Sequence, residues 1–292
     1  MPELPEVQTI VTDLAPRLEG RAFRLVSINW PGSVEEPSPD ELAQGLAGLR
    51  IEQLSRRGKY ILFDLVSGYD ATGYRTINGA VSSNAVSSKT LIVHLGMTGR
   101  LYIPQPGEPP DPYCVARFLL DGGVELRFAD VRKFGHVWLV EDAGRVVGKL
   151  GPDPLEGSFG PGELRERLDR RPGARIKALL LDQSFLAGLG NIYTDEALFE
   201  ARIHPTRPAG SLPESKVNEL HRAIREVLER GIQNRGTTFS DYRDGFGRAG
   251  RNQESLAVYH RTGSPCPRCS ATIERTVVAG RGTYFCPRCQ DP

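Results

Sequence analysis

Apolar residues at the start of the chain recur every three or four positions, a spacing typical of one face of an amphipathic helix. The positions concerned are Leu4, Val7, Val11, Leu14 and Leu18. Pro5 lies in what would be the first turn, where proline is well tolerated, and Gly20 follows the last apolar position. The sequence therefore predicts an amphipathic helix that carries these positions and is closed by Gly20.

Short apolar runs separated by Gly, Pro and Asp follow this helix at regular intervals. Such runs are typical of antiparallel strands in a β-sandwich or a barrel. The predicted strands are Phe23–Trp30, Leu49–Leu54, Tyr60–Leu65, Leu91–Leu95, Leu101–Ile103, Arg117–Leu120, Val124–Phe128 and Val137–Val140. Residues 67–89 are rich in Gly, Ser, Asn and Ala and show little periodicity, which predicts a long excursion between two strands.

The pattern becomes helical after the Gly-Pro-Asp-Pro run at 151–154. The predicted helices are Glu163–Arg170, Ile176–Leu181, Ile192–Ala201 and Glu214–Arg230. We therefore predict an α+β fold. An N-terminal helix and an antiparallel β-sandwich form a domain at 1–150, a helical domain follows at 151–260, and a small ribbon occupies 261–292.

Composition and charge restrict the classes of function. The 292 residues are 39% apolar and 25% charged, as in folded globular proteins. No apolar run approaches the ~18–20 residues of a spanning helix and no leader pattern is present, so we expect the mature protein to begin here, apart from the initiator Met. The net charge is +1, but residues 235–292 carry nine Arg against five acidic residues. That local excess indicates phosphate contact or a solvated basic face.

Four of the five cysteines form two Cys-x2-Cys pairs near the C-terminus, separated by 16 residues. They are Cys266, Cys269, Cys286 and Cys289. This spacing is typical of a zinc ribbon, and four thiolates leave no open coordination position. We predict one structural Zn²⁺, because the alternative of four unliganded thiols would leave a short segment almost without a core.

Two glycine-containing turns are candidate phosphate contacts. Gly188 and Gly190 precede a predicted helix that Asn191 could cap, and free N–H groups at a helix start can bind phosphate. Arg281 lies between two glycines at the predicted hairpin turn of the ribbon. The alternatives are ordinary helix packing for the first turn and a solvated arginine for the second.

The N-terminus offers a candidate nucleophile. Removal of Met1 would expose the secondary amine of Pro2, and an α-amine titrates near ~8 rather than the ~10.4 of lysine. Such an amine can attack a sugar carbon and form an iminium, with Glu3 as a general acid or base. The alternative is that these residues only begin a helix, whose positive end attracts Glu3.

Three internal motifs add candidate contacts. Lys59 closes a run of three cations that either neutralises phosphate or is a solvated charge cluster. Met97 lies in a Gly-flanked turn, while Arg132 and Phe134 are two apart in a short link between strands. Apolar side chains at loop tips beside an arginine suit insertion between stacked bases, although they could equally be ordinary loop and core residues.

Seven motifs occur in the order seen in bacterial formamidopyrimidine-DNA glycosylases, and the chain resembles that family over nearly its whole length. They are Pro-Glu-Leu-Pro-Glu (2–6), Arg-Arg-Gly-Lys-Tyr (56–60), His-Leu-Gly-Met-Thr-Gly (94–99), Arg-Lys-Phe-Gly (132–135), Leu-Gly-Pro-Asp-Pro-Leu (150–155), Gly-Leu-Gly-Asn-Ile-Tyr (188–193) and the four-cysteine ribbon. The resemblance implies a helix–two-turn–helix domain and a bifunctional glycosylase/AP lyase for oxidised purines. It also implies a monomer that acts on damaged double-stranded DNA in the bacterial cytoplasm, with no membrane partner.

The resemblance implies roles for single residues. Pro2 is similar to the Schiff-base nucleophile and Glu3 to its acid/base partner. Lys59 matches the lysine assigned to β-elimination and phosphate contact. Arg281 matches the zinc-ribbon arginine tied to DNA contact and δ-elimination, and Asn191 resembles the backbone-binding asparagine.

The resemblance assigns the remaining candidates to DNA contact. Met97, Arg132 and Phe134 resemble the residues that fill the hole left by the extruded nucleotide, with Arg132 facing the orphaned cytosine. Tyr113 lies in a connector expected to contact phosphate, where the family often carries histidines. Residues 237–252 match in place the loop thought to close over the flipped base.

Two alternative functions remain open. Endonuclease VIII enzymes have a similar architecture and prefer oxidised pyrimidines, but they usually carry glycine where this chain has Leu4. A zinc-ribbon DNA-binding protein without catalysis is the other alternative, which the presence of Pro2, Glu3 and Lys59 disfavours.

Overall fold

The computed structural model describes residues 1–67 and 88–291. The chain forms two compact units. Unit 1 comprises Met1–Pro2, Glu6–Gly148 and Arg235–Gly250, and unit 2 comprises Glu3–Pro5, Lys149–Asn234 and Arg251–Pro292. Of the segment 67–89, residues 68–87 lie outside the described residues, and the last two belong to a strand.

The predicted first helix is present and ends before Gly20. Helix α1 comprises Leu4–Leu18, and the apolar positions from Val7 onward belong to the core of unit 1. Two carboxylates of the same helix, Glu6 and Asp13, are also buried. A buried carboxylate requires hydrogen-bond partners, so Glu6 and Asp13 must each contact polar groups inside the fold. The hydrophobic pattern of the sequence does not predict these contacts.

Unit 1 is a β-sandwich. Its strands are β1 (Phe23–Ile28), β2 (Val34–Glu36), β3 (Arg50–Arg57), β4 (Tyr60–Val66), β5 (Ser88–His94), β6 (Gly99–Tyr102), β7 (Cys114–Leu120), β8 (Glu125–Asp130) and β9 (His136–Val140). One sheet has the order β2-β9-β5-β4-β3 and the other β1-β7-β8-β6. All pairs are antiparallel except β2–β9. Apolar side chains of both sheets share one core, which settles the choice between sandwich and barrel.

All eight predicted strands are present, and one strand and two α-helices were missed in the described part of unit 1. Strand β2 has only three residues, too few for a periodic signal. Helix α2 (Pro39–Leu46) begins at Ser38, whose side chain and backbone form a reciprocal capping box with Glu41. The Ser-x-x-Glu spacing with proline at the next position is a start signal that could have identified this helix. A short helix, α3 (Gly144–Val147), ends unit 1 before residue 149.

Unit 2 contains the predicted helices and the ribbon. The helices are α4 (Pro161–Asp169), α5 (Ile176–Leu181), α6 (Asn191–Glu200) and α7 (Glu214–Gln233), and the hairpin strands are β10 (Glu274–Val278) and β11 (Arg281–Phe285). Helix α6 is buried on nearly all sides, as expected of the central helix of a helical core. Among the described residues, none of the helices combines the length and apolar character needed to cross a bilayer.

Candidate active site and nucleic-acid interface

Glu3 lies at the N-terminus of helix α6, in unit 2. One carboxylate oxygen accepts the Gly190 N–H at 2.7 Å, and the other accepts the Ile192 N–H at 2.9 Å. The Tyr193 N–H is a third, longer donor at 3.4 Å. The positive end of a helix favours an anion, so this contact fixes the buried carboxylate in one position.

The two glycines before α6 make this approach possible. A Cβ at Gly190 would lie 2.4 Å from Cδ of Glu3, and one at Gly188 would lie 2.7 Å from the Leu4 side chain. Gly188 also has φ +95° and accepts the Leu4 N–H at 3.0 Å. The turn that contains Gly188 and Gly190 therefore lies directly against Glu3 and Leu4.

This arrangement corrects the prediction for Asn191. The residue that caps α6 is Gly190, which has no capping side chain, and the predicted cap at Asn191 is wrong. The N–H groups at the start of α6 were predicted as a possible phosphate site. They instead donate hydrogen bonds to the Glu3 carboxylate of the same chain. The Asn191 amide instead donates to the Gly282 carbonyl at 2.9 Å.

The structure brings Asn191 close to the strand that carries Arg281. Arg281 is exposed and begins β11, where it pairs with Val278 across a two-residue turn. Gly282, the acceptor of the Asn191 amide, is the next residue. Two candidate phosphate contacts from distant parts of the sequence therefore lie on adjoining elements of unit 2.

The four paired cysteines form a compact cluster. The Sγ atoms of Cys266, Cys269, Cys286 and Cys289 all lie within 4.8 Å of one another. Two of the separations are 3.9 Å (Cys266–Cys289) and 3.5 Å (Cys269–Cys286). Four sulfurs around Zn²⁺ with Zn–S bonds of ~2.3 Å would be about 3.8 Å apart. The donor set and its spacing fit one tetrahedral zinc ion.

Lys59 occupies the turn between β3 and β4 in unit 1, where Gly58 has φ +59°. The Lys59 side chain is buried. Burial, followed by the charges of Lys59 and His136, lowers the pKa of His94 to about 4. His94 is therefore neutral at pH 7 and can donate a hydrogen bond beside the lysine. Sequence reasoning missed His94, although it begins the motif that contains Met97.

The wedge side chains are those predicted to insert between stacked bases, namely Met97, Arg132 and Phe134. They lie on two exposed loop tips, the first with Met97 and the second with Arg132 and Phe134. Met97 is 37% exposed and Phe134 is 49% exposed, so neither packs in the core. The Arg132 guanidinium lies 4.8 Å from the centroid of the Phe134 ring, within cation–π range. Lys133, between them, has φ +58°, a left-handed conformation that is uncommon outside glycine.

Buried Asp130 organises these loops, a role that sequence reasoning also missed. One carboxylate oxygen accepts the N–H groups of Phe134 and Gly135, at 2.8 and 2.7 Å. The other accepts the Thr98 hydroxyl and, at 3.1 Å, the Arg132 N–H. Because Thr98 belongs to the first loop, one carboxylate joins both loops.

Glycine permits the close approach of the two loops. A Cβ at Gly96, where φ is +60°, would lie 2.3 Å from the Phe134 carbonyl oxygen. A Cβ at Gly135 would lie 2.4 Å from the Phe128 ring. Replacing Gly96 would therefore separate the loops that present Met97 and Phe134, and replacing Gly135 would displace the second loop from β8.

The remaining candidates are also located. Tyr113 is 48% exposed next to the start of β7, and its N–H donates to Asp111 at 2.8 Å. Pro2 is buried and belongs to unit 1, while Met1 before it is exposed. The residues placed in unit 1 are Pro2, Lys59, Met97, Tyr113, Arg132 and Phe134, and those placed in unit 2 are Glu3, Asn191, Arg281 and the four cysteines.

The segment Arg235–Gly250, which contains most of the predicted lesion loop, is anchored to two carboxylates of α1. Glu6 accepts the Thr237 N–H at 2.7 Å. Asp13 accepts the Arg235 guanidinium at 2.6 Å. These buried carboxylates hold the start of the segment at Arg235 and Thr237, and neither contact has a local signal in the sequence.

Three family models match the chain. The formamidopyrimidine-DNA glycosylase N-terminal domain matches residues 1–137, and the formamidopyrimidine-DNA glycosylase H2TH domain matches residues 150–243. A zinc finger found in FPG and IleRS matches residues 263–292. The third match includes all four paired cysteines, so the predicted structural zinc site is confirmed.

Individual proteins are similar to the whole chain. Formamidopyrimidine-DNA glycosylase of Chloroflexus aurantiacus is 46% identical over 293 residues, which cover 99% of this chain and 98% of that protein. Two solved structures of Lactococcus lactis Fpg share 34% identity and cover 100% of both chains. One is a mutant bound to DNA containing Fapy-dG, with a TM-score of 0.85. The other is the wild-type protein bound to DNA containing an oxidized pyrimidine, with a TM-score of 0.84.

These similarities confirm the resemblance seen in the sequence motifs and the α+β fold with its helical and zinc-ribbon parts. The identity extends over the N-terminal segment, the helices and the ribbon alike. The chain therefore belongs to the formamidopyrimidine-DNA glycosylase family.

Proposed function

We propose that this chain removes oxidised purines, such as 8-oxoguanine and formamidopyrimidines, from damaged double-stranded DNA and then cleaves the strand as an AP lyase. Membership of the family supports the activity, and a similar protein has been solved with Fapy-dG DNA. The observation that carries the proposal is the position of Glu3. Backbone N–H groups hold its carboxylate one residue after Pro2, as a fixed acid/base group beside a nucleophile requires.

The proposed reaction uses the secondary amine of Pro2, freed by removal of Met1. The nitrogen attacks C1′, the bond from C1′ to the damaged base breaks, and the base takes up a proton. Opening of the sugar at O4′ gives an iminium between C1′ and the Pro2 nitrogen. Loss of a proton from C2′ expels the 3′ phosphate, and a second elimination expels the 5′ phosphate. Glu3 is the proposed acid/base for the proton transfers at the sugar.

The exposed loops of unit 1 are proposed to stabilise an extruded nucleotide. Access to C1′ requires the nucleotide to leave the stack, at a cost of about a few kcal/mol. Insertion of Met97, Arg132 and Phe134 into the vacated space would offset that cost. Their exposure at loop tips that Asp130 holds in place supports this role.

The charged and polar candidates are proposed to hold the DNA backbone. Lys59 and Tyr113 would contact phosphate from unit 1, and Asn191 and Arg281 from unit 2. Their side chains match the residue types that make most backbone contacts in protein–DNA complexes. Since every proposed residue belongs to one chain, we propose that it acts as a monomer on DNA in the bacterial cytoplasm, without a membrane partner.

An oxidised pyrimidine is a second candidate substrate. The wild-type Lactococcus lactis protein was solved with DNA containing an oxidized pyrimidine, so the fold can accommodate one. Excision rates on matched duplexes that contain 8-oxoguanine or thymine glycol distinguish the two. We expect faster release of 8-oxoguanine, and a preference for thymine glycol would reverse the assignment.

Borohydride trapping tests the reaction. Wild-type protein incubated with an 8-oxoguanine duplex and borohydride should become covalently attached to the DNA through Pro2. Pro2→Gly should trap and cut far less, whereas Pro5→Ala, a control in the same segment, should behave as wild type. Equal trapping by Pro2→Gly would contradict the nucleophile assignment. A wild-type chain that binds lesion DNA without trapping or cutting would be a DNA-binding protein only.

A further inference from the structure

Unit 2 contains a fully buried ion pair that no proposed step uses. Lys177 on α5 and Asp195 on α6 lie 2.7 Å apart, and both side chains are 0% exposed. Burial raises the pKa of Asp195 to about 7 and lowers that of Lys177, because both charged forms lose water. Such a pair is weak evidence for stability, since its desolvation can exceed the attraction. Its other contacts indicate what it does.

The other side-chain hydrogen bonds of Lys177 and Asp195 go to strand β11. The second oxygen of Asp195 accepts the Tyr284 N–H at 3.0 Å. The Lys177 ammonium donates to the Gly282 carbonyl at 3.2 Å. The Asn191 amide donates to the same carbonyl at 2.9 Å. The ion pair therefore holds β11 at Gly282 and Tyr284, and Gly282 directly follows Arg281 in the chain.

We propose that Lys177 and Asp195 are positioning residues that hold β11 against α6, so that Arg281 and Asn191 engage the DNA backbone together. The inference rests on the proposed function, because Arg281 matters here as a contact for DNA and for δ-elimination. A displacement of about 1 Å at a reacting group can cost about 100-fold in rate. A rigid attachment one residue from Arg281 limits such displacement.

Glu196 provides a matched comparison within the same helix. It follows Asp195 and is also buried, and its carboxylate accepts three backbone N–H groups. The donors are Ala257, Val258 and Tyr259, at 2.8, 2.9 and 2.9 Å. These residues precede the ribbon and do not belong to the hairpin that carries Arg281. The Glu196 carboxylate binds no N–H of β11, and its link to the strand is indirect, through Tyr259, whose ring packs 5.0 Å from that of Tyr284. Glu196→Gln therefore disturbs a buried anchor of α6 while the hydrogen bonds of the ion pair to β11 remain.

The experiment measures the products of strand cleavage at an abasic site. Asp195→Asn removes the charge and keeps an oxygen for the Tyr284 N–H, while Lys177→Met removes the ammonium. Active enzyme is counted by borohydride trapping, so loss of folded protein does not affect the result. We expect the ratio of δ- to β-elimination products to fall by about tenfold in both variants, as in Arg281→Ala. Glu196→Gln should keep the wild-type ratio.

A second readout does not require catalysis. The slope of log affinity against log salt counts the phosphate contacts, and loss of one contact reduces it by about 1. Asp195→Asn, Lys177→Met and Arg281→Ala should each show this reduction, and Glu196→Gln should not. A wild-type chain that binds lesion DNA without cutting it would contradict the proposed function, and the slope would still test the positioning role.

Combination with Arg281→Ala separates positioning from other effects. If the pair acts through Arg281, Asp195→Asn in that background changes neither the product ratio nor the salt slope further. Should the single variants fail to fold, Lys177→Met with Asp195→Leu replaces the pair by apolar side chains, a change that is often tolerated. That double variant should show the same lowered ratio. An unchanged ratio and slope, or equal effects with and without Arg281, would overturn the proposal.

Discussion

The carboxylate of Glu3 lies so close to the backbone of Gly190 that a Cβ at position 190 would be 2.4 Å from its carboxyl carbon. The same glycine donates its N–H to the carboxylate at 2.7 Å. Glycine is therefore required at this position for steric reasons and serves as a donor at the same time. The proposed acid/base group depends on a backbone position 187 residues away in sequence.

Gly190→Ala should displace Glu3 while leaving its carboxylate in the chain. The added methyl group occupies the space of the carboxyl carbon, so we expect base release to slow by about 100-fold. Single-turnover excision of 8-oxoguanine measures the effect. Gly160→Ala is the matched control, because Gly160 also caps a helix but has no atom within 4 Å of its virtual Cβ. Equal rates for the two variants would show that the position of Glu3 does not matter.

Glu3→Gln should retain DNA binding and lose base release. Loss of a general acid/base typically costs about 10²- to 10⁴-fold in rate. The amide also has one acceptor where the carboxylate has two, so one N–H of Gly190 or Ile192 loses its partner, at about 1–3 kcal/mol. A duplex with a preformed abasic site bypasses base release, and the variant should cut it better than the lesion duplex. A glycosylase rate near wild type would remove Glu3 from its proposed role.

The contrast between Glu3 and the cysteines explains what could be predicted from the sequence. The zinc ligands lie in two short Cys-x2-Cys pairs, so the spacing of the cysteines in the sequence is enough to predict the ion that joins them. The apolar period of α1 predicts this helix in the same way. The hydrogen bonds from the start of α6 to Glu3 have no local signal, because the two partners meet only in the folded chain.

Buried carboxylates account for most of what was missed. Asp130 and Asp13 read in sequence as ordinary acidic loop and helix residues, yet each binds several donors in the structure. The choice of donors depends on which segments become neighbours after folding. Helix α2 was missed for a different reason, since its Ser-x-x-Glu start signal was present and only its length is short.

Asp130→Asn should weaken insertion of the wedge loops. The amide has one acceptor oxygen where the carboxylate has two, so either the N–H groups of Phe134 and Gly135 or that of Arg132 lose this partner, at about 1–3 kcal/mol per unpaired group. We expect slower flipping, measured by the fluorescence rise of 2-aminopurine placed next to the lesion. Phe134→Ala should show a similar defect. Asp142→Asn, at an exposed turn where one N–H donates to the carboxylate, is the control and should flip normally.

Removal of zinc should abolish DNA binding through the ribbon. Without the cation the four thiolates take up protons and the bonds that join the two Cys-x2-Cys pairs are lost, while the ribbon has little core of its own. Elemental analysis should find one zinc per chain, and a strong chelator or Cys286→Ser should remove it together with affinity for lesion DNA. Cys114→Ser should retain the metal, because Cys114 lies outside the cluster. Full affinity after verified loss of zinc would contradict a structural role.

His94 should remain neutral well below the usual range of histidine. Burial is the main cause of its lowered pKa of about 4, and the charges of Lys59 and His136 add to it. Between pH 6.5 and about 4 the unfolded chain binds a proton that folded His94 does not, so this contribution to stability is complete above pH 6.5 and is lost as the pH falls through that window. Its upper size is about 3 kcal/mol.

Proton NMR of the imidazole measures this directly. The His94 resonance should not move above about pH 5, while an exposed histidine titrates near ~6.5. Lys59→Met should raise the pKa of His94 only in part, because burial is the larger cause. His94→Gln should flatten the fall in the free energy of unfolding between pH 6.5 and 4. A His94 that titrates near 6.5 would contradict the lowered pKa and its assigned causes.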